Sequence, residues 1–330
     1  MTSAANSTLR LGTRGSALAM VQARAMQRRL IAAGHPTEIV VINTIGDTDK
    51  TSTFATLGPP GVFVREIETA LVEGKIDLAV HCFKDLPSVS PDGLVIAAIP
   101  GREDAREILV INAAAFDESQ PGLPIKQGAC VGTSAARRQA VIADKRADLT
   151  TRELRGNVPT RLAKLKAGDY DAIVLAAAGV NRLAQGAALG ENDAPDTSGA
   201  VVVTMEATDF VPAPSQGALA LQVREPRQGV NLENDQRIHD IIRELHEVHA
   251  ERGVSAEREL LRLIQAGCEA PFGAWADTRE ESDELTLHAV FAENGVLLRV
   301  AETGTDPIAV AKAAFRALGK TDKGERPSSG

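Results

Sequence analysis

The feature that most constrains this chain is an alternation of short apolar segments with amphipathic ones, which occurs twice before residue 200. In the first series, a predicted strand at 9–13 precedes a helix that begins after Ser16 and ends at Gly34. In the second series, a helix over 158–168 precedes a predicted buried strand at 170–178. Strands that alternate with helices predict open sheets covered by helices. We therefore expect two α/β domains of one design that face each other across a cleft.

The last hundred residues follow a different pattern. Two helices are predicted at about 235–251 and 255–266, and two apolar segments then flank Asn294-Gly295. Asn-Gly between apolar segments is typical of a type I′ hairpin. A final helix begins after Asp306. This part of the chain therefore predicts a small α+β domain with an antiparallel sheet.

The chain of 330 residues is long enough for about two or three domains. The resemblance described below fixes their expected bounds. Domain 1 covers 8–104 plus 201–222, domain 2 covers 105–200 and domain 3 covers 223–320, with flexible tails at 1–7 and 321–330. The polar segment 189–199 is predicted to be a surface loop, and neither it nor 225–235 is assigned a role.

Composition excludes several classes of function. A net charge of −8 and an aromatic content of 3% argue against a nucleic-acid partner, which requires cations and stacking rings. The longest apolar run, at 172–180, is shorter than the roughly 20 residues that span a membrane. Three cysteines and a polar N-terminus suggest reduced thiols and a cytoplasmic protein.

Basic and hydroxyl side chains recur where predicted strands end and helices begin, which is where open α/β sheets bind ligands. The cations are Arg14, Lys84, Arg137, Arg138, Arg155, Arg161 and Arg182, accompanied by Ser16, Thr133 and Ser134. Any one of them is explained as a surface cation that is solvated or paired with an acid. As a set in an acidic protein, they indicate a local basic site for a small polyanion.

Asp85 and Cys268 each have a structural and a functional interpretation. Asp85 is either a turn residue or partner of Lys84, or a carboxylate that nearby cations keep ionised for proton transfer and charge stabilisation. Cys268 is either a small buried residue or a reactive thiol. No group of cysteines and histidines has the spacing of zinc ligands, so no metal site is predicted. Cys82 and Cys130 are interpreted as packing residues, and His81 as a structural histidine.

Eight motifs occur in one order, and through them the sequence resembles the porphobilinogen deaminase family, also called hydroxymethylbilane synthases, from about Leu9 to about Ala317. They are "LRLGTRGSALAMVQA", "GVFVREIETALVEGKIDLAVHCFKDLP", "GREDARE", "VGTSAARRQ", "RGNVPTRLAKL", "DAIVLAAAGVNRL", "VPAPSQGALALQVR" and "GCEAPFGAWA". The resemblance implies three domains, the first two like periplasmic binding proteins. It also implies a transferase of haem biosynthesis that condenses four porphobilinogen molecules into hydroxymethylbilane and releases four ammonia molecules. The product grows on a covalently bound dipyrromethane cofactor.

The resemblance also implies roles for individual residues. Cys268 matches the cysteine that holds dipyrromethane through a thioether, since a thiolate attacks the azafulvene formed when porphobilinogen loses ammonia. Asp85 matches the catalytic aspartate. The residues that match cofactor-binding positions are Lys84, Thr133, Ser134, Arg137, Arg138, Arg155 and Arg161. Those that match substrate-binding positions are Arg14, Ser16, Gln22, Arg182 and Gln216. The expected protein is a monomer with porphobilinogen as its partner and no nucleic acid or membrane.

Three departures from the family pattern and two rival functions remain. Ile45 and Pro60 stand where many members carry Arg and Lys, and Ala135 where some carry Ser, which affects loop closure and cofactor contacts rather than the reaction class. One rival is a non-catalytic binder of a polycarboxylate that uses the same lobes. The other is an enzyme that forms a Schiff base through Lys84.

Overall fold

The computed structural model describes residues 7–43, 64–227, 231–265, 270–278 and 282–320. Its strands are β1 (Leu9–Thr13), β2 (Thr37–Val41), β3 (Leu78–Cys82), β4 (Leu94–Ala98), β5 (Glu107–Asn112), β6 (Cys130–Gly132), β7 (Thr150–Arg152), β8 (Ala172–Ala176), β9 (Ala200–Thr204), β10 (Leu219–Arg224), β11 (Phe272–Thr278), β12 (Leu285–Glu293) and β13 (Val296–Gly304). Its helices are α1 (Ala17–Ala32), α2 (Arg65–Val72), α3 (Ala136–Lys145), α4 (Val158–Lys166), α5 (Ala177–Ala188), α6 (Leu232–Arg243), α7 (Val248–Ile264) and α8 (Pro307–Ala317).

The chain divides into two compact units. The first comprises Met1–Asp104, Ala178–Pro195 and Gly217–Ala250, and the second comprises Ala105–Ala177, Asp196–Gln216 and Glu251–Gly330. No helix among the described residues combines the length and the apolarity that are needed to cross a membrane.

The first unit is built on a five-stranded sheet of order β2-β1-β3-β10-β4. Strand β1 pairs in parallel with β2 and β3, whereas β10 inserts antiparallel between β3 and β4. Its core contains fully buried Leu11, Leu30 and Leu221. Helix α1 begins as predicted, because the Ser16 hydroxyl accepts a hydrogen bond from Ala19 N, and Gly34 follows it with a φ of 90°.

The second unit contains a five-stranded sheet of order β7-β6-β8-β5-β9. Helix α4 starts at the predicted place, since Asn157 caps it, Pro159 lies in its first turn and Gly168 follows it with a φ of 82°. Strand β9 pairs with β5 in this sheet. Residues 201–222 had been expected to return to domain 1, so this strand was expected in the first sheet. The return to the first sheet is made by β10. The domain bounds themselves stay a prediction.

A separate antiparallel sheet of order β11-β12-β13 lies in the second unit with α8 packed against it. Asn294 and Gly295 connect β12 and β13 with φ values of 52° and 78°, so the hairpin predicted from Asn-Gly is confirmed. Two five-stranded sheets flanked by helices, plus a small antiparallel sheet, confirm the predicted fold class of an α/β protein with an α+β part.

The predicted break between the last two long helices was misplaced. The chain leaves helical geometry between Arg243 and Val248, whereas the break was expected between about residues 251 and 255. Gly253 lies inside α7, where a Cβ atom would be 3.2 Å from Thr278 Cγ2 and 3.5 Å from Ala276 Cβ. This glycine therefore allows close packing of α7 on β11, and local propensity could not distinguish that use from a helix end.

Arg224 ties three elements of the first unit together. From β10, its Nε donates to the Asp235 carboxylate at 2.9 Å, and its Nη1 donates to the carbonyls of Leu71 at 2.9 Å and Ile76 at 2.8 Å. The side chains of Arg224 and Asp235 are largely buried. One guanidinium thus satisfies a carbonyl at the end of α2, a carbonyl two residues before β3 and a carboxylate of α6.

We expect Arg224→Met to lower the free energy of unfolding by about 3 kcal/mol, because it leaves a buried carboxylate and two carbonyls without their donor. Urea denaturation monitored by circular dichroism measures the change. Arg227→Met is the matched control: Arg227 pairs with exposed Asp92, so little change is expected. Equal effects of the two substitutions would contradict the assignment.

Candidate functional site

One edge of the first sheet collects several of the predicted site residues. Strands β1 and β3 are parallel neighbours, so their carboxyl ends lie at the same edge. Arg14 directly follows β1, and Lys84 and Asp85 follow β3 in a short 3-10 turn, Phe83–Asp85. The Asp85 side chain is exposed, and no hydrogen bond or ion pair to its carboxylate is found among the described residues. Asp85 is therefore a solvent-facing acid at strand ends of the kind where open α/β sheets bind ligands.

Cys82 lies among four of these residues. The buried Gln22 amide of α1 donates to Cys82 Sγ at 3.2 Å. Burial raises the pKa of the Cys82 thiol, and the negative charge of Asp85 raises it further, although Lys84 and Arg182 act in the opposite direction. Cys82 is thus a neutral thiol in the field of three charged groups.

Arg182 and Gln22 line one cavity of about 370 Å³ in the first unit. Arg182 Nη2 donates to the Gly217 carbonyl at 2.6 Å, and burial lowers the pKa of its guanidinium. Glu103 lies on the same cavity and accepts 3.1 Å hydrogen bonds from Asn181 and Gln185. Burial opposes ionisation of Glu103, but these hydrogen bonds, one from the Asp104 amide and the charge of Arg182 together hold its pKa below the usual value. The cavity therefore offers a cation, an anion and an amide.

In the second unit, Arg137 and Arg138 are bound to a buried acid. Arg137 Nη2 donates to Glu107 Oε1 at 2.6 Å, while Arg138 Nε and Nη2 donate to both Glu107 oxygens at 3.0 and 2.7 Å. The exposed fractions are 5% for Arg137, 6% for Arg138 and 0% for Glu107. Their Nη1 atoms donate to the carbonyls of Val211 and Val174. Two of the seven cations in the predicted basic site are thus buried against an internal acid.

The other predicted residues of the second unit lie near the amino ends of α3 and α4. Ser134 exchanges two hydrogen bonds with the Leu154 backbone, and Thr133 is fully buried. Arg155 and Arg161 are partly exposed; Arg155 Nε donates to Glu153 and Arg161 Nε to the Gly156 carbonyl. These arginines present part of their surface to solvent, in contrast to the two that hold Glu107.

Gln216 is buried, and its amide donates to the Ala105 carbonyl at 2.8 Å. Cys268 lies outside the described residues, as do Ile45 and Pro60. The flanking elements of Cys268 are described: α7 ends at Ile264 and β11 begins at Phe272.

The acids that lie beside Arg182 and beside the pair Arg137 and Arg138 were not identified from the sequence. Glu103 and Glu107 both belong to the motif "GREDARE" at 101–107, which supported the resemblance without receiving a role. The available signal was electrostatic: two adjacent arginines in a helix start require a nearby acid if they are buried. Which acid supplies that charge depends on strand pairing, which the local sequence does not encode.

His81 belongs to a buried polar chain behind the sheet edge. Its Nε2 lies 3.0 Å from Gln222 Oε1, and Gln222 Nε2 donates to Glu68 at 3.1 Å. Burial lowers the pKa of His81 to about 4, although the hydrogen bond to Gln222 opposes the shift. His81 is therefore a neutral structural histidine, as the sequence suggested.

Comparisons with known proteins give one consistent result. The chain matches the family models "Porphobilinogen deaminase, dipyromethane cofactor binding domain" over residues 9–231 and "Porphobilinogen deaminase, C-terminal domain" over residues 252–321. A porphobilinogen deaminase of Syntrophotalea carbinolica is 40% identical over 320 residues, which cover 96% of this chain and 92% of the relative. One of Geobacillus sp. is 38% identical over 312 residues, covering 93% and 92%.

Among solved structures, the VFT2 domain of Bordetella pertussis BvgS aligns with 76% of this chain and 91% of its own. The sequence identity is 12% and the TM-score is 0.39.

The lowered pKa of His81 predicts a pH-dependent stability. Protonation favours the unfolded chain, whose histidine has a pKa of about 6.5, so the contribution of neutral His81 is complete above that pH. It falls by about 3 kcal/mol as the pH drops from about 6.5 to about 4. Urea unfolding of wild type and His81→Gln at several pH values measures the difference, and the variant should show the shallower fall.

His239→Gln provides the control for that experiment, because His239 lies on α6 and has no contact with the His81 chain. Its profile should follow that of the wild type. Parallel profiles for wild type and His81→Gln would show that another group controls this pH range.

Proposed function

The chain belongs to the porphobilinogen deaminase family, and from that premise we propose that it joins four porphobilinogen molecules head to tail into hydroxymethylbilane and releases four ammonia molecules. Membership identifies a transferase of tetrapyrrole biosynthesis. The observation that carries the proposal is the pair of family matches over residues 9–231 and 252–321, the first of which names the dipyrromethane cofactor. The three-domain division, the monomeric state and the cytoplasmic location are part of the same proposal.

The donor set of the described residues fits a polycarboxylate such as dipyrromethane. Lys84, Arg155 and Arg161 are partly exposed cations, and Ser134 adds a hydroxyl beside a helix start. Arginine and lysine are the side chains best suited to carboxylates. When bound, dipyrromethane supplies the pyrrole carbon on which the chain grows. We assign the attachment to Cys268, because a thiolate forms a stable thioether with an electrophilic carbon.

Asp85 is proposed to act on the changing positive charge of the substrate. Its exposed carboxylate follows β3 beside Lys84. An anion fixed there pairs with the substrate ammonium, stabilises the cation that remains when ammonia leaves, and accepts the proton released from the new bond. Arg14, Ser16, Gln22, Arg182 and Gln216 are assigned to substrate binding.

Arg137 and Arg138 are assigned to cofactor binding. Their buried contact with Glu107 favours a role in holding the neighbouring cofactor-binding residues in place. Their guanidiniums hold the start of α3 against β5. They thereby also fix Thr133 and Ser134, which lie just before this helix. A ligand carboxylate that reached them would share donors already bound to Glu107. This favours a supporting role over that of sole ligands.

We expect the denatured, purified protein to exceed its sequence mass by two linked pyrrole units, with the excess on the peptide that contains Cys268. Cys268→Ser should abolish both the added mass and turnover, because a hydroxyl does not replace the thiolate as nucleophile. Intact-mass and peptide mass spectrometry measure this.

Cys82→Ala and Cys130→Ala are the matched controls and should retain the added mass. Active protein with unmodified Cys268 would contradict the attachment. A protein that carries no adduct and binds polycarboxylates without turnover would point to the rival non-catalytic binder, and borohydride trapping on Lys84 to the Schiff-base enzyme.

Asp85→Asn should lower turnover by about 10³-fold or more, because it keeps the size of the side chain but removes the charge. Asp85→Glu should retain some activity, since it keeps the charge and moves it by one methylene. Single-turnover rates on cofactor-loaded protein measure both effects, and thermal melts check the fold.

Asp92→Asn is the control, because Asp92 is an exposed acid paired only with Arg227 among the described residues. It should turn over at the wild-type rate. A folded, loaded Asp85→Asn protein within tenfold of wild type would remove Asp85 from the mechanism.

A further inference from the structure

The segment 211–217 contains a residue in a conformation that its surroundings must maintain. Ser215 has a φ of 63°, in the left-handed region that favours glycine. It is fully buried, and its Oγ has no hydrogen-bond partner among the described residues. The side chain therefore does not stabilise this backbone, and other contacts must offset the strain.

Glu257 supplies the principal contact. Its carboxylate is fully buried on α7; Oε2 accepts a hydrogen bond from Ser215 N at 2.6 Å, and Oε1 accepts one from Ala276 N of β11 at 2.8 Å. Hydrogen bonds from backbone amides to a carboxylate are among the stronger ones in proteins. Glu257 thus joins the strained residue to a helix and a strand.

A second contact supports the same segment from β11. Ala274 N donates to the Pro212 carbonyl at 3.1 Å. A Cβ atom at Gly273 would lie 2.9 Å from the carbonyl oxygens of both Val211 and Pro212, and 2.6 Å from Arg137 Cδ. Only glycine permits this approach, so the strand and the segment are packed backbone to backbone.

These contacts determine where Gln216 lies. Gln216 follows Ser215, so the φ of Ser215 sets the direction in which its side chain leaves the backbone. We propose that Glu257 is a positioning residue for porphobilinogen turnover, which fixes Ser215 in the left-handed conformation and thereby orients Gln216. This inference rests on the proposed function, in which Gln216 is assigned to substrate binding. The helix and strand that Glu257 joins also flank Cys268 in the sequence.

The most informative variant is Glu257→Gln. An amide has one acceptor oxygen, so one of the two backbone amides loses its partner while the shape of the side chain is kept. We expect the KM for porphobilinogen to rise about tenfold with a smaller change in kcat, because substrate contact weakens in the ground state and the transition state alike. Glu257→Asp, which keeps both acceptor oxygens, should lie between wild type and Glu257→Gln.

Ser215→Gly tests whether the effect acts through the backbone. Glycine adopts a φ of 63° without strain, so the segment then depends less on the carboxylate. When Ser215→Gly is combined with Glu257→Gln, the KM should fall from the value of Glu257→Gln to within about threefold of that of Ser215→Gly alone.

Asp235→Asn is the matched control, since it also removes a largely buried carboxylate that accepts hydrogen bonds, here from Arg224. It should lower the melting temperature without changing the KM. Hydrogen exchange at the amides of Ser215 and Gln216 should quicken in Glu257→Gln and stay unchanged in Asp235→Asn. Intact mass verifies that each variant carries the same adduct as wild type.

Folded Glu257→Gln protein with wild-type KM and wild-type exchange at 215–216 would overturn the inference, as would a raised KM that Ser215→Gly does not restore. If the wild type itself does not convert porphobilinogen, the proposed function falls. The exchange measurement still decides the backbone contact in that case, because it requires no substrate.

Discussion

The buried ion group of Glu107 with Arg137 and Arg138 is the interaction on which the second unit depends. Removing two guanidiniums from water costs several kcal/mol each, and their mutual repulsion adds to that cost. Glu107 offsets it through three hydrogen bonds, and the carbonyls of Val211 and Val174 accept two more. Such a group is stable only when every member is in place. It therefore fixes β5, α3 and the segment that begins at Val211 as one body.

The same arrangement continues from Arg137 to the residues proposed to contact substrate. Arg137 donates to the Val211 carbonyl and packs so closely on Gly273 that a Cβ atom there would clash with it. Strand β11 continues from Gly273 to Ala276, whose backbone amide donates to Glu257. Glu257 in turn holds Ser215, the neighbour of Gln216. Three of these links are hydrogen bonds of 2.7, 2.8 and 2.6 Å between buried groups, and the link at Gly273 is close packing. A substitution at any link should therefore reach the others through backbone geometry rather than through a change of net charge.

Local sequence signals predicted most of the fold and little of this network. Ser16 caps its helix and Asn294-Gly295 forms its hairpin, as predicted, because those preferences act over a few residues. The break between the helices predicted at 235–251 and 255–266 was misplaced, because Gly253 packs against β11, which lies further along the chain. Lys84 was predicted to lie where a strand ends, and it follows β3 together with Asp85. The catalytic role of Asp85, like that of Cys268, came from the resemblance and stays a prediction.

Burial separates the arginines by the part that each pair is able to take in the proposed reaction. In that proposal each added pyrrole brings two carboxylates, so the cations assigned to receive them exchange partners as the product lengthens. Arg137 and Arg138 are held by a carboxylate inside the protein, and breaking that contact would leave Glu107 as an uncompensated buried charge. Arg155 and Arg161 keep part of their surface in water, where exchanging one carboxylate for another costs little. The exposed pair is therefore suited to a moving chain, and the buried pair to a fixed framework that keeps the surrounding helix starts in place.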